Sequence, residues 1–190
     1  MSQAFYPVLS ILEITLRNAI DTMLKTYIGE DWIEKELQQQ NILQDYELNK
    51  LKEACIVAKQ SSKSSALSHG KIVENLTFGF WTNLCLKRYG NKIWTKPGRF
   101  RAVFVNFPQC QREQVHSIST KLTAIKRLRN KVYHYAPVLR SREKMLAMYN
   151  DMIEILSYLP SDDADILKKT CNFLQVCQTC KSSLQITRNP

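Results

Sequence analysis

Helix-breaking residues are scarce in this chain, with six Pro and five Gly among 190 residues, and runs of alternating β-branched residues are hard to find. A sandwich or barrel of many short strands needs more of both, so the pattern points to an all-α protein. There is no stretch of the ~20 apolar residues required to cross a bilayer. The first segment lacks a basic start, and Glu13 and Arg17 interrupt its apolar residues, so no secretory signal is legible and a soluble, cytoplasmic protein with no membrane partner is expected. In a reducing compartment the six Cys are expected to be thiols rather than staples. Cys177 and Cys180 form one C-x-x-C with Cys171 nearby, but no second pair and no neighbouring His completes four zinc ligands, so neither a metal nor another cofactor is expected. A glycine-rich phosphate loop, an H-E-x-x-H and a Ser-His-Asp arrangement are also missing.

What the chain does have is apolar content and positive charge. At 44% apolar residues it carries enough for one sizeable core. Its formal net charge of +10 suits a polyanionic partner, of which nucleic acid is the commonest. Residues 7–28 read as a long amphipathic helix, with Pro7 suited to its first turn and Gly29 to its stop. Further helices are expected over Glu47–Lys59, Lys71–Tyr89, from about Gln111 to Tyr135, and over Arg140–Leu159. A short helix through Leu174 follows, opened by Ser161 or Asp162, and the last dozen residues carry no clear period. We therefore divide the chain into a helical domain at 1–160 and a helical extension or tail at 161–190.

The most informative stretch is Arg129-Asn130-Lys131-Val132-Tyr133-His134. Val115, Ile118, Leu122, Ile125 and Val132 paint one apolar stripe, and position 129, which belongs to that series, is an arginine. A guanidinium on such a stripe is costly unless a partner or a polar cavity meets it. Asn130 and His134 are one turn apart, and Pro137 ends the helix directly afterwards. A helix-terminal histidine near the dipole's negative end and a snorkelling arginine would produce the same pattern. Two groups of cations flank the stretch. Lys121, Lys126, Arg127 and Lys131 lie on or beside the same helix. Lys87, Arg88, Lys92, Lys96, Arg99 and Arg101, interleaved with Tyr89 and Trp94, suit either the tracking of single-stranded RNA or a solvated connector.

The RNKVYH run resembles the R-x4-6-H signature of HEPN domains in its RN-x3-H form. Two further stretches resemble the Abi-like (abortive infection) branch of that superfamily. One is Leu9–Ile20, containing Glu13, Arg17 and Asn18, with Asp31-Trp32 beyond it. The other is Gly70–Trp81, leading to Trp94 and Phe107-Pro108. The three motifs stand in family order over about residues 5–140, and Tyr133 departs from the pattern, which has Ala before the His. The resemblance implies a HEPN-like helical bundle with short extra helices, and a homodimer in which two signatures face each other across a composite cleft. It also implies that Glu13, Arg17 and Asn18 orient Arg129 and His134; on spacing alone, Glu13 and Arg17 form an ordinary surface pair.

RNA brings its own nucleophile, the 2′-hydroxyl beside each phosphodiester. His134 is the candidate general base or acid, Arg129 the candidate for neutralising the phosphate, and Asn130 a support for either. Lys126, Arg127, Lys131, Lys96, Arg99 and Arg101 are the candidate RNA-binding cations. These residues and the resemblance together lead us to expect a metal-independent endoribonuclease that leaves a 2′,3′-cyclic phosphate and a 5′-hydroxyl, in anti-phage defence or as the toxin of a toxin–antitoxin pair. The alternative is a non-catalytic module that binds RNA or an antitoxin, protein or non-coding RNA; a basic surface for an acidic protein partner is a third possibility.

Overall fold

The structure is a computed structural model describing residues 2–39, 41–61, 68–108, 114–134 and 141–177. Among the described residues every regular element is helical, and no helix is long and apolar enough to cross a membrane. The first long helix, α1 (Tyr6–Ile28), has Pro7 in its opening turn, where the missing N–H would have had no partner. Val8, Leu9, Leu12, Leu16, Ala19, Ile20, Met23 and Leu24 are buried on it. That is more than one stripe, and α1 is packed by α2 (Trp32–Gln39), α5 (Phe78–Leu84), α6 (Arg99–Val103) and α8 (Arg142–Tyr158). Gly29, at φ 133°, ends α1 in a backbone shape that favours glycine.

The stretch expected as one helix over Lys71–Tyr89 is two helices and a turn: α4 (His69–Asn75), α5, and a 3-10 turn over Lys87–Tyr89. The break falls at Leu76 and Thr77, both extended, not at Gly79. A carboxylate oxygen of Glu13 accepts the Phe78 N–H at 3.1 Å, which satisfies an amide that the broken helix would leave open. The bend lets Ile72 and Val73 on one side of it and Phe78, Phe80 and Trp81 on the other enter the same core. A Cβ on Gly79 would meet only ordinary contacts, Thr77 Oγ1 at 3.5 Å and Lys126 Cδ at 3.8 Å, so no close approach requires glycine there.

Helix α3 (Asp45–Ser61) precedes these, and α7 (Gln114–Tyr133) follows. The expected stripe on α7 is buried at Ile118, Leu122, Ile125 and Val132, joined by Leu128. Lys121 ties α7 to α8 by bridging Asp151 at 3.1 Å and Glu154. The segment from residue 161, expected as an extension or tail, packs on the same core as far as residue 177. Its helix α9 (Asp163–Thr170) buries Ala164 and Leu167. Asp163 accepts a 2.7 Å hydrogen bond from Thr15 of α1. Phe173 stacks on Tyr149 at 4.5 Å and lies 4.6 Å from Phe5, so both ends of the described chain meet over α8.

Candidate active site

The apolar stripe of α7 carries Arg129 to the edge of the core rather than into it. Its side chain keeps 26% of its surface. The guanidinium lies 3.4 Å from the carboxylate of Glu13, 116 positions earlier on α1. The ring of Tyr133, one turn on, covers it, with the guanidinium carbon 4.2 Å from the ring centroid. The Nε is buried and has no hydrogen-bond partner among the described residues. Tyr6 meets Tyr133 in a T-shaped contact at 5.2 Å, and its hydroxyl donates to the Val132 carbonyl at 3.4 Å. The polar partner that a cation on this stripe required is therefore Glu13, which also caps α5.

His134 follows the last residue of α7, its N–H donating to the Asn130 carbonyl at 3.1 Å. Both side chains are exposed, as are those of Arg127 and Lys131. Five residues of helix turn the chain through about 140° beyond a full turn and advance it about 7.5 Å. Arg129 thus leans toward α1 while Asn130, His134, Arg127 and Lys131 share the outward side. One chain brings together an anchored arginine and an open imidazole on one helix end, pointing in different directions. Pro137 and the rest of 135–140 lie outside the described residues.

Glu13 reaches Arg129; for the other two α1 residues named with it, no bond to Arg129 is present among the described residues. The Nε of Arg17 donates to Asn18 Oδ1 at 3.1 Å, in place of the surface pair with Glu13. Asn18 itself faces a hollow lined by Ala102, Pro160 and Asp163, around α1 from Glu13.

The candidate RNA-binding cations fall into two groups. Lys126 donates to Asn83 Oδ1 at 2.8 Å. Burial first, and then the nearby charges of Arg88 and Arg127, lower its pKa, with Glu47 opposing them. The second group, Lys96, Arg99 and Arg101 of the connector, is engaged differently. Lys96 is exposed, Arg99 stacks over Tyr27 and donates to the Lys92 carbonyl at 3.2 Å, and Arg101 is engaged by the Phe107 carbonyl. Tyr27 is about 21 Å along α1 from Glu13, so Arg99 is far from Arg129. The aromatics of that connector are core residues. Trp94 donates to the Leu84 carbonyl at 2.7 Å, and Tyr89 is fully buried, so neither offers a face to a base.

A network centred on Glu47 has no counterpart in the sequence reading. This carboxylate is fully buried and accepts from Arg88, from the Tyr89 hydroxyl at 2.6 Å and from Asn83 at 3.0 Å. Burial and then the bond to Glu47 push the Tyr89 hydroxyl above its ordinary pKa, so it stays a donor. The signal was present: Glu47 sits on the stripe of Leu48, Leu51, Ala54 and Ala58, as Arg129 does on its own.

Cys171 is half-buried, Cys177 is buried, and Cys180 lies outside the described residues. Among the described residues no group of three His, Cys, Asp or Glu side chains is placed to hold a metal. Comparison with protein families, curated proteins and solved structures finds no match to this chain.

Proposed function

We propose that the chain is an Abi-like HEPN protein and a metal-independent endoribonuclease. The observation that carries this reading is the end of α7, where Arg129 is anchored by Glu13 and His134 stands open beside Asn130, Arg127 and Lys131. Neutral His134 takes the proton from a 2′-hydroxyl, the oxygen attacks the adjacent phosphorus, and the 5′-oxygen leaves with a proton from a protonated imidazole. Arg129 faces the charge that develops on the phosphoryl oxygens. The two side chains of one copy diverge, which supports a composite site in which the Arg129 of one copy serves a phosphate held at the His134 of a second. The working form is then a homodimer, and its setting is anti-phage defence or a toxin–antitoxin pair.

His134→Ala is expected to abolish EDTA-resistant cleavage of single-stranded RNA while the helical circular dichroism stays unchanged. If the clean wild-type protein shows no such cleavage dependent on Arg129 and His134, the enzymatic reading is wrong. The contact of Tyr133 with Arg129 favours a second reading, a module that binds RNA or an antitoxin without cutting, because the guanidinium already has an anion and a ring against it. RNA binding that weakens steeply with salt, without turnover, would select it.

A further inference from the structure

Among the described residues most aromatic side chains are spent on the core. Phe78, Phe80, Trp81, Tyr89 and Trp94 are buried. Among the described residues the large exposed aromatics are Tyr27, Tyr46 and Tyr133. Tyr27 packs against Arg99, about 21 Å along α1 from Glu13. Tyr46 stands on α3 near Lys50 and Glu53. Tyr133 alone of the three is next in sequence to His134 and one turn from Arg129, and 38% of its surface is open. Its ring is also held before anything binds. The Arg129 guanidinium backs one face, that guanidinium is fixed in turn by Glu13, and Tyr6 meets the ring in a T-shaped contact. An aromatic ring fixed from behind loses little freedom when a second planar group lies on it, so the exposed part of this residue suits stacking.

We propose that Tyr133 is a stacking platform for one unpaired nucleobase of the RNA next to the reacting phosphate, and that it restricts the protein to single-stranded RNA. This rests on the ribonuclease reading only in its claim that RNA is the ligand. Stacking uses the face that every base has, so the platform selects strandedness and not base identity. A base within a duplex cannot offer that face without leaving its stack, which costs energy at each site.

The test titrates the full chain with a short single-stranded RNA carrying 2-aminopurine, whose fluorescence falls when it stacks, and with the same RNA in a duplex. The wild type and Tyr133→Phe are expected to quench the probe and to prefer the single strand. Tyr133→Leu keeps an apolar side chain but has no ring; it is expected to bind roughly tenfold more weakly, without quenching and with the single-strand preference lost. Equal quenching and affinity in Tyr133→Leu overturns the platform. Should the leucine variant misfold, the wild-type titration decides: binding without quenching at any probe position overturns it too. Failure of the wild type to bind any RNA removes the RNA reading itself, an outcome distinct from binding without stacking.

Discussion

Glu47 and Glu13 are both carboxylates that hold an arginine across a long stretch of sequence, and they differ in how closed their surroundings are. The side chain of Glu47 has no exposed surface, and three side chains from α5 and the turn after it donate to it. The Glu13 side chain keeps 21% of its surface; it accepts one backbone N–H and one arginine contact at 3.4 Å, and among the described residues that arginine still has an unpartnered Nε. The first arrangement is saturated and can only hold helices together. The second is restrained on one side and keeps 26% of the Arg129 side chain exposed, which the proposed contact with a phosphate needs. A charge on an apolar stripe is thus not by itself a mark of function.

The sharpest way to break this contrast is to remove the ion pair at each site, from the arginine side at Glu47 and from the carboxylate side at Glu13. Arg88→Met leaves the Glu47 carboxylate buried with only neutral donors. The expected loss is about 3 kcal/mol in urea unfolding, the low end for a broken buried pair because 39% of the Arg88 side chain is already in water. Glu13→Gln should cost about 1 kcal/mol or less, since the amide oxygen can still accept the Phe78 N–H and the lost pair is partly solvated. RNA cleavage in that variant should nevertheless fall by roughly one to two orders of magnitude, because Arg129 loses the anion that aims it. If Glu13→Gln costs as much stability as Arg88→Met and leaves cleavage unchanged, the two sites have been assigned the wrong way round.

Periodicity made α1, α3, α7 and α8 legible, since each buries a stripe that the spacing of Leu, Ile, Val and Met already drew. It did not show the break at Leu76–Thr77, because the Glu13 carboxylate that satisfies Phe78 comes from 65 positions away. Nor did it show that Tyr89 and Trp94 are core, since the cations around them, Lys87, Arg88 and Lys92, gave that stretch the composition of a surface loop. At the site, the oddity of Arg129 was visible in the stripe, and the resemblance named Glu13 beside it. The same resemblance named Arg17 and Asn18, whose side chains bond to each other. The Tyr6–Tyr133 contact joins the first turn of α1 to the last of α7, and no local pattern encodes it.

Glu154 extends the comparison to a third carboxylate, with 42% of its side chain exposed and Lys121 and Tyr158 as its donors. Burial alone would raise its pKa; the hydrogen bonds from Lys121 and Tyr158 outweigh this and lower it below the ordinary 4.5. For Lys121, burial pulls downward and the bonds to Glu154 and Asp151 win, raising it above 10.5. A carboxyl held low stabilises the fold above its unfolded value and stops doing so as pH falls through the folded one. A raised lysine does so below its unfolded value, until pH rises through the folded one. The bridge between α7 and α8 is therefore at full strength between pH 4.5 and 10.5. With so much of the pair in water, Glu154→Gln should lose only a few tenths of a kcal/mol to about 1 kcal/mol at neutral pH, less in high salt. The difference from wild type should vanish as pH drops below 4.5, read as converging urea midpoints. A larger loss that persists in acid would mean that exposure does not rank these three carboxylates, and the distinction drawn between Glu47 and Glu13 would lose its basis.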